Sequence, residues 1–421
     1  MKPMNDILIT KAPDGGTVDA IASKSAAHRI LIAGFLSGLN LDGVCDELSD
    51  DITATKICLQ RLCTALRQSG SAGDRIVADC VLPCGESGST LRFLLPLAGA
   101  LGIESDFVCQ GRLPDRPMEP LLECLAEHGC KVEGRNPKHL SGRLTGGTFR
   151  LPGDVSSQYV TGLLMALPLV KEDSEIVVEG RLQSRPYVDL TLQVLREAGI
   201  RIDERESLTE TKTETIFSVS GGQAYHLPAA ALEQIEGDWS NAAFWIVMDA
   251  MLRLREAGGH IVCQGLDPAS AQGDKAVVTI AEQMLAAGTA EIDIDAADVP
   301  DLVPALAVLS CGRPAGSITN IINAGRLRFK ESDRLHAAAE VLSGLGADIT
   351  ETETSLTTRS KGRLTGGTAD SFGDHRIVMM AAAAACIAAE PITIKGATAV
   401  NKSYPRFFED YQKLGGKLQW L

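Results

Sequence analysis

Six times along the chain, an amphipathic segment ends in a glycine and a strand-like segment of alternating polarity follows. Glycine in this place is typical of a helix C-terminus. The first two intervals between these glycines return almost unchanged as the last two, after one longer interval in the middle. This spacing predicts two homologous halves of three units each. The six glycines are Gly70, Gly129, Gly199, Gly288, Gly346 and Gly415.

A second repeat supports the duplication independently. The heptapeptide GRLTGGT occurs at Gly142–Thr148 and again at Gly362–Thr368. Nearby, Asp115-Arg116 recurs as Asp333-Arg334 at almost the same offset. Each unit mixes amphipathic runs with short strands rich in Val, Ile and Thr, which predicts an α/β fold.

The two halves predict two domains, which suits 421 residues because single hydrophobic cores stop growing near about 250–300 residues. We expect the first domain to span 23–222 and the second to combine 1–22 with 223–421. A strand over Asp6–Thr10 would complete the last unit of the second domain. The chain would then cross twice between the domains, and these crossings would form a hinge.

Composition excludes several classes of protein. A net charge of −14 argues against a nucleic-acid-binding protein. The longest strongly apolar run, Ile377–Ala389, is shorter than the roughly 18 residues of a membrane span, so we expect a buried helix there. The N-terminal segment MKPMNDILIT lacks the apolar stretch of an export signal, which predicts a cytoplasmic protein.

The cysteines argue against a disulfide framework and a structural metal. There are 11 of them, an odd number, without a C-x-x-C pair or a Cys/His cluster at zinc spacing. We therefore expect reduced thiols within the core.

Polar, cationic turns precede apolar helices in the first half. Lys24, Ser25 and Arg29 open one such helix, with Ser25 as the expected N-cap. Cations there oppose the helix dipole, which indicates an anionic ligand. The turn GESG, with Gly88, repeats this design before a helix that carries Arg92. A solvated basic turn or a simple tight turn is the alternative for each segment.

Two hydroxyl-rich turns follow in the same half. The segment VSSQ places Ser156, Ser157 and Gln158 ahead of an apolar helix, and SRPY places Ser184 and Tyr187 ahead of another. These side chains suit an anion or a sugar-like ligand. Plain helix capping is the alternative, although capping would use only one of the first three residues.

The second half carries carboxylates beside cations. Asp301 stands at a helix start, where it could accept a proton from a hydroxyl group or simply cap the helix. Further cationic turns precede later helices. Taken together, the turns of both halves predict one anion-binding cleft between the domains. The residues of these later turns are Arg326, Arg328, Lys330, Glu331, Asp333, Arg334, Asp374, His375, Arg376 and Lys402.

The order and the residue sequences of these motifs resemble those of the enolpyruvyl transferases over essentially the whole chain. The matching segments are ASKSAAHR, GESGSTLR, LPDRP, SSQ, SRPY, PD, KESDR, DHR and KSYP. The resemblance implies two inverse α/β domains, each of three βαβαββ units, with the active site in the interdomain cleft. It also implies a monomer without a metal or other cofactor.

The activity that the resemblance implies is transfer of the enolpyruvyl group of phosphoenolpyruvate to the 5-hydroxyl of shikimate 3-phosphate. Glu331 would be the catalytic acid and Asp301 the base, with Lys24 close to the same hydroxyl. The implied contacts of shikimate 3-phosphate are Lys24, Ser25, Arg29, Ser156, Ser157, Gln158, Ser184, Tyr187, Asp301 and Lys330. Those of phosphoenolpyruvate are Lys24, Gly88, Arg116, Gln158, Arg334, Arg376 and Lys402.

Two positions depart from the family pattern. Glu86 stands where the family often has Asn, and its carboxylate would repel a phosphate unless it turns away or is paired. Arg326 replaces an Asn near the shikimate phosphate, which should keep or strengthen anion binding.

Two alternatives stay open at this point. One is transfer to a UDP-amino sugar, although the reactive-cysteine loop of that sister enzyme would fall on GRLPDRP, which has no cysteine. The other is a duplicated module that binds an anionic metabolite without turnover.

Overall fold

The computed structural model describes residues 5–44, 49–69, 77–208, 213–256 and 258–421. The chain forms two compact units: unit 1 combines Met1–Ser23 with Glu236–Leu421, and unit 2 is Lys24–Ile235. The second crossing thus follows Ile235, later in the chain than the expected position 222. The intervening segment belongs to unit 2 because the Tyr225 hydroxyl donates to the Met165 carbonyl at 2.7 Å.

Short strands alternate with helices throughout. The strands are β1 Ile7–Lys11, β2 Gly16–Asp19, β3 Val77–Gly85, β4 Ile103–Cys109, β5 Cys130–Glu133, β6 Lys138–Gly142, β7 Thr148–Pro152, β8 Ser174–Glu179, β9 Ile202–Leu208, β10 Thr213–Val219, β11 Ile261–Gln264, β12 Ile292–Asp295, β13 Ile318–Ile322, β14 Asp348–Glu351, β15 Leu356–Arg359, β16 Gly367–Asp370, β17 Ile392–Lys395 and β18 Lys417–Trp420. The α-helices are α1 Lys24–Leu36, α2 Asp50–Ser69, α3 Gly88–Leu101, α4 Glu119–Glu127, α5 Ser157–Ala166, α6 Arg185–Glu197, α7 Trp239–Leu254, α8 Val277–Ala286, α9 Val303–Gly312, α10 Arg334–Gly344, α11 His375–Ala384 and α12 Phe407–Lys413.

One supersecondary pattern, βαβαββ, builds four sheets. In unit 2 the sheet orders are β3-β4-β6-β5 and β7-β8-β10-β9, and in unit 1 they are β12-β13-β15-β14 and β16-β17-β1-β18. In each sheet the first two strands are parallel and the other neighbours are antiparallel. The last sheet takes its third strand, β1, from the start of the chain, where Ile7 pairs with Ile394 and with Trp420. This pairing agrees with the strand expected over Asp6–Thr10.

Among the described residues, the third copy in unit 1 is shorter than the sequence predicts. In unit 1, β2 pairs in parallel with β11, and along the chain α7 precedes β11 and α8 follows it. Among the described strands, no C-terminal hairpin extends this two-stranded sheet. The reason is that Ile292–Asp295, which follows α8, serves as the first strand of the next sheet. In unit 2 the described part of this copy consists of α1 and α2.

The glycines and the heptapeptide occupy equivalent places in both halves. The predicted helix-ending glycines have positive φ angles from 55° to 99°, apart from Gly70, which lies outside the described residues. In the heptapeptides, the Thr145 amide donates to the carbonyl before Gly129, and the Thr365 amide donates to the carbonyl before Gly346, each at 2.9 Å. The predicted duplication is confirmed at the level of individual hydrogen bonds.

Helices that are almost completely buried occur in both units, with α5 in unit 2 and α9 and α11 in unit 1. All ten residues of α9 are buried, and so are all ten of α11. The buried helix predicted over Ile377–Ala389 is α11, which begins two residues earlier and ends at Ala384. No helix among the described residues is long and apolar enough to cross a membrane. The first turns of such buried helices carry many of the predicted site residues.

Candidate active site

The predicted site residues fall into two groups, one in each unit, which we describe separately. The residues in unit 2 are Lys24, Ser25, Arg29, Gly88, Arg116, Ser156, Ser157, Gln158, Ser184 and Tyr187. The residues in unit 1 are Asp301, Lys330, Glu331, Arg334, Arg376 and Lys402.

Lys24 is the first residue of α1 and pairs with a carboxylate that the sequence analysis missed. Its Nζ lies 2.8 Å from Oδ2 of Asp51, and both side chains are mostly buried. Asp51 stands in the first turn of α2, where an acidic residue is expected for the helix dipole alone. The helix begins at Lys24, so Ser25 lies in its first turn, and its predicted role as N-cap is wrong.

Arg29 is buried and ties α1 to α5 and α6. Its guanidinium donates to the hydroxyl groups of Thr191 at 2.8 Å and Thr161 at 3.3 Å, and to the Tyr187 carbonyl at 2.9 Å. It also lies 5.2 Å from the centre of the Phe93 ring. Burial lowers the pKa of Arg29 to about 9. The two threonines carry no charge or motif by which a sequence could identify them.

Gly88 is the first residue of α3 and lies next to two guanidinium groups. A Cβ atom at Gly88 would lie 2.8 Å from Arg92 Nη1 and 2.9 Å from Arg116 Nη1. Arg92 in turn donates to Gln158 Oε1 at 2.8 Å, and Nε2 of the same Gln158 side chain donates to Ser89 Oγ at 2.9 Å. The structure therefore brings Gly88, Arg116 and Gln158 together. It adds Arg92, the fifth residue of α3, whose place on this helix was visible in the sequence.

Under this turn, four buried side chains form a chain of hydrogen bonds. His28 Nδ1 lies 2.8 Å from Thr55 Oγ1, which lies 2.6 Å from Thr90 Oγ1. The Thr90 hydroxyl lies 2.7 Å from Ser87 Oγ. Burial, with Lys24 and Arg29 nearby, lowers the pKa of His28 well below its usual value, so this imidazole is neutral at pH 7.

The hydroxyl-rich turns differ in their local roles. Ser156 is the N-cap of α5, because its side chain accepts from the Gln158 amide at 3.3 Å. Ser157 is buried in the first turn of the same helix. Ser184 precedes α6 with φ = 55°, a left-handed conformation that is uncommon outside glycine. Tyr187 follows in that helix and contributes its carbonyl to Arg29.

In unit 1, one guanidinium binds three carboxylates. Arg334 is 1% exposed and donates from Nε to Asp374 at 2.8 Å, from Nη1 to Asp301 at 2.9 Å and from Nη2 to Glu331 at 2.6 Å. Burial alone would lower the pKa of Arg334, but these carboxylates raise it above its usual value. We call these four residues the Arg334 cluster.

Asp301 lies close to two further cations. Besides Arg334, its oxygens lie 3.0 Å from Arg376 Nη2 and 3.6 Å from Lys330 Nζ. Burial tends to raise the pKa of Asp301, but Arg376, Lys330 and Arg334 together hold it well below its usual range. The residue lies in a short 3₁₀ helix, Pro300–Leu302, directly before α9.

The turn before α11 anchors the remaining cations. Asp374 caps that helix by accepting from the Arg376 amide at 2.9 Å, and it also accepts from the Ser332 hydroxyl at 3.0 Å. Lys402 Nζ donates to the Gly373 carbonyl at 2.6 Å. All six predicted residues of unit 1 thus reach the Arg334 cluster or the turn next to it.

The two departures from the family pattern have defined positions. The Glu86 carboxyl lies over Gly111, where an added Cβ would be 2.6 Å from it. Arg326 donates to the Ala297 carbonyl at 2.6 Å. Among the described residues, no group of three or more His, Cys, Asp or Glu is arranged to hold a metal ion.

Comparison with known proteins identifies relatives along the whole chain. A family model for EPSP synthase (3-phosphoshikimate 1-carboxyvinyltransferase) matches residues 10–411. A 3-phosphoshikimate 1-carboxyvinyltransferase from Clostridium kluyveri is 39% identical, and the match covers 96% of each chain. One from Methanocorpusculum labreanum is 33% identical, with 98% of this chain and 99% of that protein covered.

Solved structures show the same fold. An EPSP synthase from Acinetobacter baumannii covers 99% of this chain and 100% of its own, with a TM-score of 0.71 and 22% identity. The enolpyruvyl transferase NikO from Streptomyces tendae matches with a TM-score of 0.62 and 16% identity. The α/β class predicted from the sequence is confirmed.

Proposed function

The chain belongs to the EPSP synthase family, and on that premise we propose that it transfers the enolpyruvyl group of phosphoenolpyruvate to the 5-hydroxyl of shikimate 3-phosphate. The products are the enolpyruvyl ether and inorganic phosphate. The observation that carries the proposal is the Arg334 cluster, in which one buried guanidinium holds Asp301 and Glu331 side by side. These are the two carboxylates to which the family resemblance assigns proton transfer.

The reaction needs one group that accepts a proton and one that donates a proton. A bond forms between the 5-oxygen and C2 of phosphoenolpyruvate while the hydroxyl loses its proton and C3 gains one. The bond from C2 to the phosphate oxygen then breaks, and C3 returns one proton as the double bond re-forms. We assign proton acceptance from the hydroxyl to Asp301 and proton donation to C3 to Glu331.

The low pKa of Asp301 makes this carboxylate a weak base in the ligand-free protein. Phosphoenolpyruvate carries a carboxylate and a phosphate, groups that pair well with arginine and lysine. An anion bound to Arg376, Arg334 and Lys402 would offset part of the positive charge around Asp301. The pKa of Asp301 would then rise, so the base becomes effective only after the substrate has bound.

Binding roles are proposed for the remaining residues. For shikimate 3-phosphate, the buried polar groups around α1, α5 and α6 support contacts with Lys24, Ser25, Arg29, Ser156, Ser157, Gln158, Ser184 and Tyr187. The family resemblance adds Asp301 and Lys330, which lie in unit 1. For phosphoenolpyruvate, the turn at α3 and the cations of unit 1 support contacts with Lys24, Gly88, Arg116, Gln158, Arg334, Arg376 and Lys402.

Three broader expectations stay predictions. They are an active site in a cleft shared by both units, a monomeric state and a cytoplasmic location. The ten described cysteines are all free thiols, which supports a reducing compartment.

The direct test is release of inorganic phosphate from phosphoenolpyruvate. We expect release only when shikimate 3-phosphate is also present. Arg376→Gln removes a cation from Asp301 and should lower kcat/KM by about a hundredfold, as expected for loss of a charged contact worth about 1.5–3 kcal/mol. Arg328→Gln is the matched control, because Arg328 pairs with Asp333 and Glu351 outside the cluster.

Two results would contradict the proposal. Release with a UDP-amino sugar in place of shikimate 3-phosphate would assign the chain to the sister reaction. Tight binding of both substrates without release would make the chain a binding module.

A further inference from the structure

The turn that joins β16 to α11, Asp370–Asp374, contains an unusual backbone conformation. Phe372 has φ = 50°, in the left-handed region where a Cβ atom is unfavourable and where glycine or asparagine is normally found. The residue is 37% exposed, so burial in the core does not account for a phenylalanine here. Backbone strain of this kind persists only where the surroundings fix it, and it is frequent at functional sites.

Several hydrogen bonds hold the 370–374 turn in this shape. The Phe372 amide donates to Asp370 Oδ1 at 2.7 Å, and the Gly373 amide donates to Ser371 Oγ at 3.2 Å. The Asp374 amide donates to the Ser371 carbonyl at 2.8 Å. Ser371 is itself fully buried, and its amide donates to the Lys395 carbonyl of β17 at 3.1 Å. The turn is therefore fixed from both sides of Phe372.

The two residues that follow Phe372 each hold a cation. The Gly373 carbonyl accepts from Lys402 Nζ at 2.6 Å, and the Asp374 carboxylate accepts from Arg334 Nε at 2.8 Å. The same carboxylate caps α11 through the Arg376 amide. A change of φ at position 372 to a negative value would rotate the Gly373 carbonyl and displace the Asp374 side chain. Lys402 and Arg334 would then lose these hydrogen bonds, and the Arg376 amide would lose its cap.

We propose that Phe372 is a positioning residue, whose left-handed backbone sets the places of Lys402 and Arg334 for an anionic substrate. The backbone conformation performs this role, and the aromatic ring does not. The identity of the anion as phosphoenolpyruvate rests on the function proposed above.

Three substitutions separate the backbone from the ring. Phe372→Gly and Phe372→Asn remove the ring but accept φ > 0, whereas Phe372→Val is β-branched and resists it. We expect the Gly and Asn variants to keep the KM for phosphoenolpyruvate within about threefold of the wild type. The Val variant should raise that KM about tenfold or more, with a smaller change in kcat.

A matched control distinguishes positioning from general destabilisation. Glu256 also has a left-handed backbone, φ = 53°, but it follows the end of α7 and is exposed. Glu256→Val should lower the melting temperature without changing the KM for phosphoenolpyruvate. If Phe372→Val behaves in the same way as this control, Phe372 has only a structural role and the proposal is overturned.

The remaining outcomes are equally decisive. If Phe372→Gly raises the KM for phosphoenolpyruvate as much as Phe372→Val does, the ring is responsible and the backbone proposal fails. The wild type is assayed first, because absence of phosphate release there would overturn the proposed function. A normal wild-type rate with unchanged KM values in every variant would overturn the positioning role alone.

Discussion

At the scale of single residues, the positions of charges in unit 1 follow from Arg334. This guanidinium is 1% exposed, and a buried charge is tolerated only when partners compensate for its lost hydration. Three carboxylates supply that compensation, and the same contacts bring Asp301 and Glu331 to one group. The ion pairs that stabilise the fold thus also arrange the residues proposed for proton transfer.

Glu331→Gln tests the proposed acid. Glutamine keeps the size of the side chain and most of its hydrogen bonds but cannot donate the proton to C3. Turnover should fall by about a hundredfold or more, while binding of shikimate 3-phosphate persists. If Glu331 serves only to hold Arg334, the variant should instead lose thermal stability and keep its rate. Turnover, substrate affinity and melting temperature measured on the same variant decide between these outcomes.

Gly88→Ala tests the site at α3. The new methyl group would contact the ends of the Arg92 and Arg116 side chains, so both guanidinium groups must shift. We expect the KM for phosphoenolpyruvate to rise more than that for shikimate 3-phosphate. Inhibition by glyphosate, which the family resemblance implies as a competitor, should weaken as well. Equal effects on both substrates would show that Gly88 does not approach phosphoenolpyruvate.

At the scale of elements, two helix N-caps in unit 1 are both aspartates but differ in their other partners. Asp333 caps α10 by accepting from the His336 amide at 3.1 Å, and Asp374 caps α11. Asp333 pairs in addition with Arg328, whereas Asp374 binds Arg334. One cap is therefore local, and the other is part of the Arg334 cluster.

The variants Asp333→Asn and Asp374→Asn exploit this difference. Asparagine is a good N-cap, so both helices should remain capped. Asp333→Asn should change the unfolding free energy by less than about 1 kcal/mol, because it removes only a surface ion pair. Asp374→Asn takes a charge from Arg334 and should also raise the KM for phosphoenolpyruvate. Equal KM values in the two variants would contradict the role given to Asp374.

Much at this scale could be predicted from the sequence, because repeats and glycines report local backbone geometry. The equivalent hydrogen bonds of Thr145 and Thr365 were implied by the repeated heptapeptide. Contacts between distant segments could not be predicted in this way. Asp51 lies 27 residues from Lys24, and Thr191 lies 162 residues from Arg29. The sequence around Asp51 and Thr191 carries no motif that marks these contacts, because the contacts form only when separate helices pack together.

The alignment of the halves had a similar limit. The pair Gly-Asp occurs at Gly153-Asp154 and again at Gly373-Asp374, at the offset of the repeated heptapeptide, which predicts equivalent positions. Yet the cap of α5 is Ser156, whereas the cap of α11 is Asp374. α5 begins nine residues after Thr148, whereas α11 begins seven residues after Thr368, so the identical pair does not occupy the same place before each helix.

At the scale of the whole molecule, the distribution of residues between units predicts which substrate each variant affects. Most of the proposed shikimate 3-phosphate contacts lie in unit 2. Unit 1 contains the four cations in or next to the Arg334 cluster, namely Lys330, Arg334, Arg376 and Lys402. Arg376→Gln should therefore leave the Kd for shikimate 3-phosphate within about twofold while raising the KM for phosphoenolpyruvate. Calorimetry with shikimate 3-phosphate alone gives the Kd. A large loss of that affinity would mean that Arg376 itself contributes to binding of shikimate 3-phosphate.

Stability at low pH should report the Asp301 ion pairs. Because the folded protein depresses the pKa of Asp301, this carboxylate stabilises the fold above its unfolded pKa of about 3.9, and the contribution is lost as pH falls further. The difference in unfolding free energy between wild type and Asp301→Asn should be constant from pH 7 to about pH 5 and should shrink below pH 4. Urea unfolding of both proteins measures it. A difference that grows on acidification would contradict the assigned pKa direction.

The pairing of β1 with β17 and β18 has a consequence for synthesis on the ribosome. Unit 2 is complete once Ile235 has emerged, so it can fold while translation continues. The sheet around Ile7 must wait for Trp420, which is synthesised long after β1. Until then β1 is an open strand edge that could pair with another nascent chain. Folding of unit 1 is therefore the step at which a chaperone would matter most.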